Sequence, residues 1–157
     1  GITNQISQDS GIEIELVLLE FFYQLKSVDM IIGHNISFDI NMVKVELLRI
    51  IYSNTQSSEF KTYFHTLTNY KNICCTLQTS IELCNIKAID KYGKEYLKFP
   101  KLIELHQKLF NSDPNNLHNS LNDILVTLRC YIKIKYDFDL NEKCDKFKKI
   151  ALDIKLF

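Results

Sequence analysis

The stretch that most constrains this chain is Ile31-Ile32-Gly33-His34-Asn35-Ile36-Ser37-Phe38-Asp39. Met30 to Ile32 is a short apolar run stopped by Gly33, the pattern of a strand covered on both faces. Asn35 is a favourable N-cap residue. The spacing therefore predicts a helix that carries Phe38 and Asp39 in its first turn and continues with Met42, Val45 and Leu48. A strand feeding directly into a helix is the unit of an α/β chain, and it sets a carboxylate at the carboxyl end of the strand, where such folds place their sites. Asp39 also has a plainer role open to it, complementing the dipole of its own helix.

About eighty residues later, Leu117-His118-Asn119-Ser120-Leu121-Asn122-Asp123 opens another helix, with Leu121, Ile124, Leu125 and Leu128 as its apolar residues. Inside one helix, five residues at about 100° each would turn His118 and Asp123 onto different faces. His118 is therefore expected in the feeding loop or the first turn, swung toward the side that Asp123 faces. Between the two stretches, Lys98-Phe99-Pro100-Lys101-Leu102 leads into a helix with Pro100 at its first position and Leu102, Leu105 and Leu109 following.

Taken in order, His-Asn-x-x-Phe-Asp from His34, Lys-x-Pro-Lys-Leu from Lys98, and His118 followed five positions later by Asp123 resemble the DEDDh 3′-to-5′ exonucleases. These are the DnaQ-like proofreading and RNA-trimming enzymes. The resemblance runs from Gly1 to about Tyr131. It implies an α/β, RNase H-like fold with a short, mostly parallel sheet flanked by helices. It further implies hydrolysis of phosphodiester bonds at the 3′ end of single-stranded DNA or RNA, assisted by two divalent metal ions, Mg²⁺ or Mn²⁺. Such ions require carboxylate oxygens, and a pair about 4 Å apart activates water and stabilises the leaving oxygen. By the same resemblance Asp39 and Asp123 would hold the metals and His118 would act as general base. Phe38 would pack on the terminal nucleotide, with Ile2 and Thr3 bordering that pocket, while His34 and Asn35 would shape the strand-to-helix turn.

The family's Asp-x-Glu strand, which supplies two further carboxylates, does not occur in this sequence. The expectation is a fold lacking its first strands, incomplete at the N-terminus and weak or inactive alone. Residues 1–136 would form the exonuclease domain, and residues 137–157 a helical extension packed on it. The partner implied is a single-stranded 3′ end, together with a DNA polymerase for a proofreading member. A non-catalytic nucleic-acid- or protein-binding module derived from the same fold is the alternative.

Composition is compatible with these readings. A chain of 157 residues, 46% of them hydrophobic, suits one domain that buries roughly 70% of its unfolded surface. With 19 basic and 19 acidic residues it lacks the positive excess of proteins that grip long duplexes, though a pocket for one strand end remains compatible. The five cysteines (Cys74, Cys75, Cys84, Cys130 and Cys144) show no C-x-x-C pair, and there is no signal peptide or 18-residue apolar run. A reducing intracellular compartment and no membrane association are expected. Cys74 and Cys75 would point to opposite faces of a strand, which disfavours zinc.

Elsewhere, Ser10 to Glu13 matches a capping box before a helix carrying Ile14, Leu18, Phe21, Phe22 and Leu25. Residues 53–72 read as a polar excursion with a short helix, fastened to the body by Phe60, Tyr63, Phe64 and Tyr70. Residues 85–99 read as a lysine-rich loop turning at Asp90 to Gly93, and His106 as a histidine at the edge of the core. A stripe of Leu140, Cys144, Phe147, Ala151 and Ile154 predicts a packed C-terminal helix; its many lysines offer nucleic-acid binding as a second reading.

Overall fold

The computed structural model describes residues 3–53 and 57–157. It is mixed α/β and divides into two compact units, one of Gly1–Met30 with Ser37–Asn72 and one of Ile31–Ile36 with Ile73–Phe157.

In the first unit, the Thr3 hydroxyl accepts the Ile6 N–H at 3.2 Å and caps α1 (Asn4–Ser10). That helix runs through Ser10, so Ser10 does not serve as the expected N-cap. Glu13 instead precedes α2 (Ile14–Leu25) without a side-chain cap bond. Gly11 sits between them where a Cβ would come within 2.2 Å of the Ser7 carbonyl oxygen, which leaves room only for glycine. Leu18, Phe22 and Leu25 form the buried face of α2, as their spacing predicts. The long α3 (Ile36–Ser53) buries Leu47 and Ile50. The polar excursion contains α4 (Ser58–Asn69), whose Tyr63 ring stacks on Phe22 at 4.2 Å. Tyr70 Oη donates to the Val28 carbonyl at 3.3 Å and the Asn72 amide donates to that of Asp29. These side chains fasten the excursion to its unit.

In the second unit, β1 (Ile31–Gly33) and β2 (Ile73–Cys75) pair in parallel, with Ile31 opposite Ile73 and Gly33 opposite Cys75. Covering on both faces was expected, yet the strand residues are half-buried, because this sheet holds two strands among the described residues. Thr76 does not extend β2. It starts α5 (Thr76–Thr79), which α6 (Ile81–Cys84) follows. The expected lysine-rich loop is a hairpin of β3 (Lys87–Ile89) and β4 (Glu95–Leu97), antiparallel. Its turn falls at Asp90 to Gly93, where the Asp90 carboxylate accepts the Tyr92 and Lys94 N–H groups at 2.8 and 2.9 Å. Helix α7 (Leu102–Phe110) starts after Lys101, so Pro100 precedes it rather than occupying its first position. The Glu104 carboxylate reaches back to the Lys101 N–H at 2.7 Å, fixing that start.

Helix α8 (Ser120–Tyr136) packs against β1 on one side and α7 on the other. Two short helices, α9 (Leu140–Lys143) and α10 (Asp145–Asp153), take the place of the single C-terminal helix expected. Leu105, Leu125, Val126, Cys130, Phe147, Ala151 and Leu156 form the core, with Leu140, Cys144 and Ile154 packed against it. Each large member contributes about 1.5–3 kcal/mol through burial.

Arg129 crosses this core. Its Nε and Nη2 donate to the Asp139 carboxylate at 2.7 and 2.6 Å, and its Nη1 donates to His106 Nε2 at 3.0 Å. The guanidinium lies over the Phe110 and Phe157 rings, 3.9 and 4.1 Å from their centroids. Because His106 Nε2 accepts from Arg129, its Nδ1 carries the proton and donates to the Ser112 carbonyl at 2.7 Å. His106 is thus fully buried rather than at the core's edge, since both ring nitrogens find partners inside. No helix among the described residues is long and apolar enough to cross a membrane.

Candidate functional site

Two loops hold the residues singled out by the sequence. The first follows β1. A Cβ on Gly33 would come within 2.6 Å of Ile36 Cδ1 and 3.0 Å of Ile36 Cβ, so glycine lets the Ile36 side chain sit close against the end of β1. The His34 ring lies 3.0 Å from the Pro100 carbonyl through Nε2 and 3.0 Å from Thr76 Oγ1 through Nδ1. A carbonyl only accepts, so Nε2 carries a proton and donates it; in the neutral ring, Nδ1 then accepts the Thr76 hydroxyl. Burial lowers the His34 pKa, although the Pro100 bond acts in the opposite sense. One imidazole therefore ties the end of β1 to the start of α5 and to the segment before α7.

Asn35 immediately precedes α3 with φ of 66°. An N-cap normally has extended backbone and receives a helix N–H on its side chain. Asn35 does neither among the described residues, and it occupies the left-handed region that asparagine tolerates. Phe38 and Asp39 stand in the first turn of α3, in the first unit. Phe38 is 61% exposed, and the exposed Asp39 carboxylate forms no hydrogen bond or ion pair with the described residues. Of the other residues expected at the substrate pocket, Thr3 caps α1, and Ile2 lies outside the described residues.

The second loop feeds α8. Asn116 and His118 take φ values of 54° and 76°, so the chain twice enters the left-handed region before the helix. For a histidine that backbone costs on the order of 1–3 kcal/mol and must be held by its surroundings. Asn119 caps α8 by accepting the Leu121 N–H at 3.0 Å, and the Asn122 amide donates to the Asn116 carbonyl at 2.9 Å. The Asp123 carboxylate accepts the His118 N–H at 3.2 Å. His118 consequently sits exposed in the feeding loop, and Asp123, half-buried, stands in the first turn of α8.

The structure thus brings His118 and Asp123 together, and it joins His34 to the Lys98–Leu102 segment through Pro100. Sequence reasoning gave no part to the Thr76 hydroxyl or the Pro100 carbonyl. Neither residue type carries a signal for such a role.

Asp39 and Asp123 offer the hard oxygens that Mg²⁺ takes. Among the described residues, however, no three His, Cys, Asp or Glu side chains converge to hold a metal ion. Two carboxylates do not make up a two-metal centre, so the residues present do not by themselves fit that cofactor. The cysteines supply no alternative donor set. All five are free thiols, and burial pushes the Cys130 pKa up to about 12, keeping it protonated.

Compared with known proteins, the chain matches no family model, no curated protein and no solved structure.

Proposed function

We propose that this chain is part of a 3′-to-5′ exonuclease with an RNase H-like fold, acting on the 3′ end of single-stranded DNA or RNA. The observation that carries the reading is the turn before α8. A strained histidine is held in the feeding loop, and its backbone N–H is bonded to the carboxylate five residues on. That arrangement holds a histidine and a carboxylate together at the start of a helix packed on β1. His118 serves as the general base; Asp123, and by the family resemblance Asp39, would supply carboxylates to a divalent metal once further donors complete the set. The remaining donors, an Asp-x-Glu pair in the resembling family, are not in this sequence.

The competing reading, a non-catalytic binding module, draws on the same bond, since Asp123 could then simply close a turn. Trimming of a labelled single strand separates them. In the protein as the cell makes it, with Mg²⁺ present, His118→Ala should slow 3′ nucleotide release by about 10²- to 10⁴-fold. Asp123→Ala should slow it at least as much. Unchanged rates in both variants would overturn the enzymatic reading in favour of the module.

A further inference from the structure

The β3–β4 hairpin has an unusual surface for so small an element. Ile89 is 72% exposed, Tyr92 82%, Tyr96 49% and Phe99 63%, all within eleven residues. Tyr96 stands opposite Ala88 in the register, so no bulky cross-strand neighbour covers its ring. From Lys87 to Lys101 there are five lysines against two acids, in a chain whose net charge is zero. Lys87 pairs with Glu95 and Lys98 with Glu104, which leaves Lys91 and Lys94 without a carboxylate partner among the described residues. Lys91 Nζ lies 4.9 Å from the Tyr92 ring centroid, presenting a cation and an aromatic face side by side. Asp90, the acid nearest them, has its carboxylate turned onto the Tyr92 and Lys94 N–H groups of the turn.

The geometry points to the hairpin as an arm that binds single-stranded nucleic acid, with Tyr92 and Tyr96 stacking on bases and Lys91 and Lys94 meeting phosphates. Exposed rings flanked by free lysines are the two elements of sequence-tolerant single-strand binding. An apolar protein partner would cover the rings but would leave the lysine charges desolvated without counter-ions. A polyanion with π-faces satisfies both. The position of the arm also suits a strand end. Lys98 N–H closes the hairpin onto the Ile86 carbonyl at 2.9 Å, and Phe99 directly precedes Pro100, whose carbonyl is held by His34 at the end of β1. This inference rests on the nucleic-acid reading above and adds where the strand is held.

The test is anisotropy of fluorescein-labelled oligothymidylate titrated with the protein in EDTA, so that binding is read without cleavage. Tyr92→Ala and Tyr96→Ala should each weaken binding about tenfold, while Tyr92→Phe, which keeps the ring, should bind like the unaltered protein. Replacing Lys91 and Lys94 together by Ala should flatten the dependence of log affinity on log salt by about 1 to 1.5. Affinity and salt slope unchanged in all these variants, or no binding by the unaltered protein, would overturn the arm. The two proposals fail separately. Insensitivity of trimming to His118→Ala and Asp123→Ala would reject the exonuclease and leave a hairpin-dependent binding result standing.

Discussion

His106 and Arg129 lie buried and Asp139 half-buried, bonded to one another or to backbone, whereas His118 and Asp123, in the same unit, share a single backbone hydrogen bond among the described residues. The residue types nearly coincide, but the surroundings differ. In the first group, aromatic rings cover the guanidinium and a bidentate ion pair holds it, and no buried side-chain nitrogen or oxygen among the described residues is left unpaired. In the second, the imidazole is exposed and, among the described residues, one carboxylate oxygen accepts no hydrogen bond. Complete satisfaction marks a group that holds the fold together; incomplete satisfaction at a strained turn leaves a group available for chemistry.

Substitution should separate the two groups. Arg129→Met leaves Asp139 a poorly hydrated charge and removes the donor to His106 Nε2, so it should cost about 3–5 kcal/mol in urea unfolding. Asp123→Ala should cost only about 1 kcal/mol, the worth of one hydrogen bond to a charged group near the surface. Equal losses in the two variants would erase the distinction. His34 lies between these extremes, with both ring nitrogens bonded but the ring half-buried. His34→Ala should therefore cost about 2 kcal/mol, because the Pro100 carbonyl loses its donor and Thr76 loses a partner.

The mildest probe is pH. Burial is the main cause holding both His106 and His34 below the ordinary value of 6.5. In the window beneath 6.5 the unfolded chain therefore binds more protons than the folded one. The stability these residues contribute is complete above about pH 6.5 and is lost as pH falls through their lower folded values. Asp139 is lowered from 3.8 and Glu104 from 4.5. In each, burial acts upward but is outweighed by hydrogen bonds, from Arg129 and Lys98 respectively, so these two act in the same direction only at lower pH. The urea midpoint should accordingly begin to fall below about pH 6.5, before the carboxylates titrate. A flat profile down to about pH 5 would contradict the histidine assignments.

The parts of the fold legible in the sequence were those with a strong period or a distinctive junction. The α2 stripe of Leu18, Phe22 and Leu25 followed from spacing, as did the C-terminal residues Phe147 and Ala151 and the loop placement of His118. The β3–β4 hairpin was not legible, because Lys87, Ile89, Glu95, Tyr96 and Leu97 are all exposed and so leave no apolar alternation to read. Helix α1 was hidden for a similar reason, its identity resting on the Thr3 cap rather than on a buried face. At the junction after β1, a capping reading of Asn35 was chemically reasonable, but its left-handed backbone cannot be inferred from a single asparagine. Arg129 was missed because a lone arginine in a helix usually reads as solvated. Its partners lie 10 and 23 positions away, beyond any local pattern.

The central claim is that His118 and Asp123, joined at the start of α8, serve one chemical step. The most direct measurement compares trimming rates of His118→Ala, Asp123→Asn and the double variant in the protein as the cell makes it. Residues that serve one step are strongly non-additive, so each single substitution should abolish most activity and the double variant should be scarcely slower than either. Losses that multiply, or a single variant that trims at the unaltered rate, would contradict the shared site.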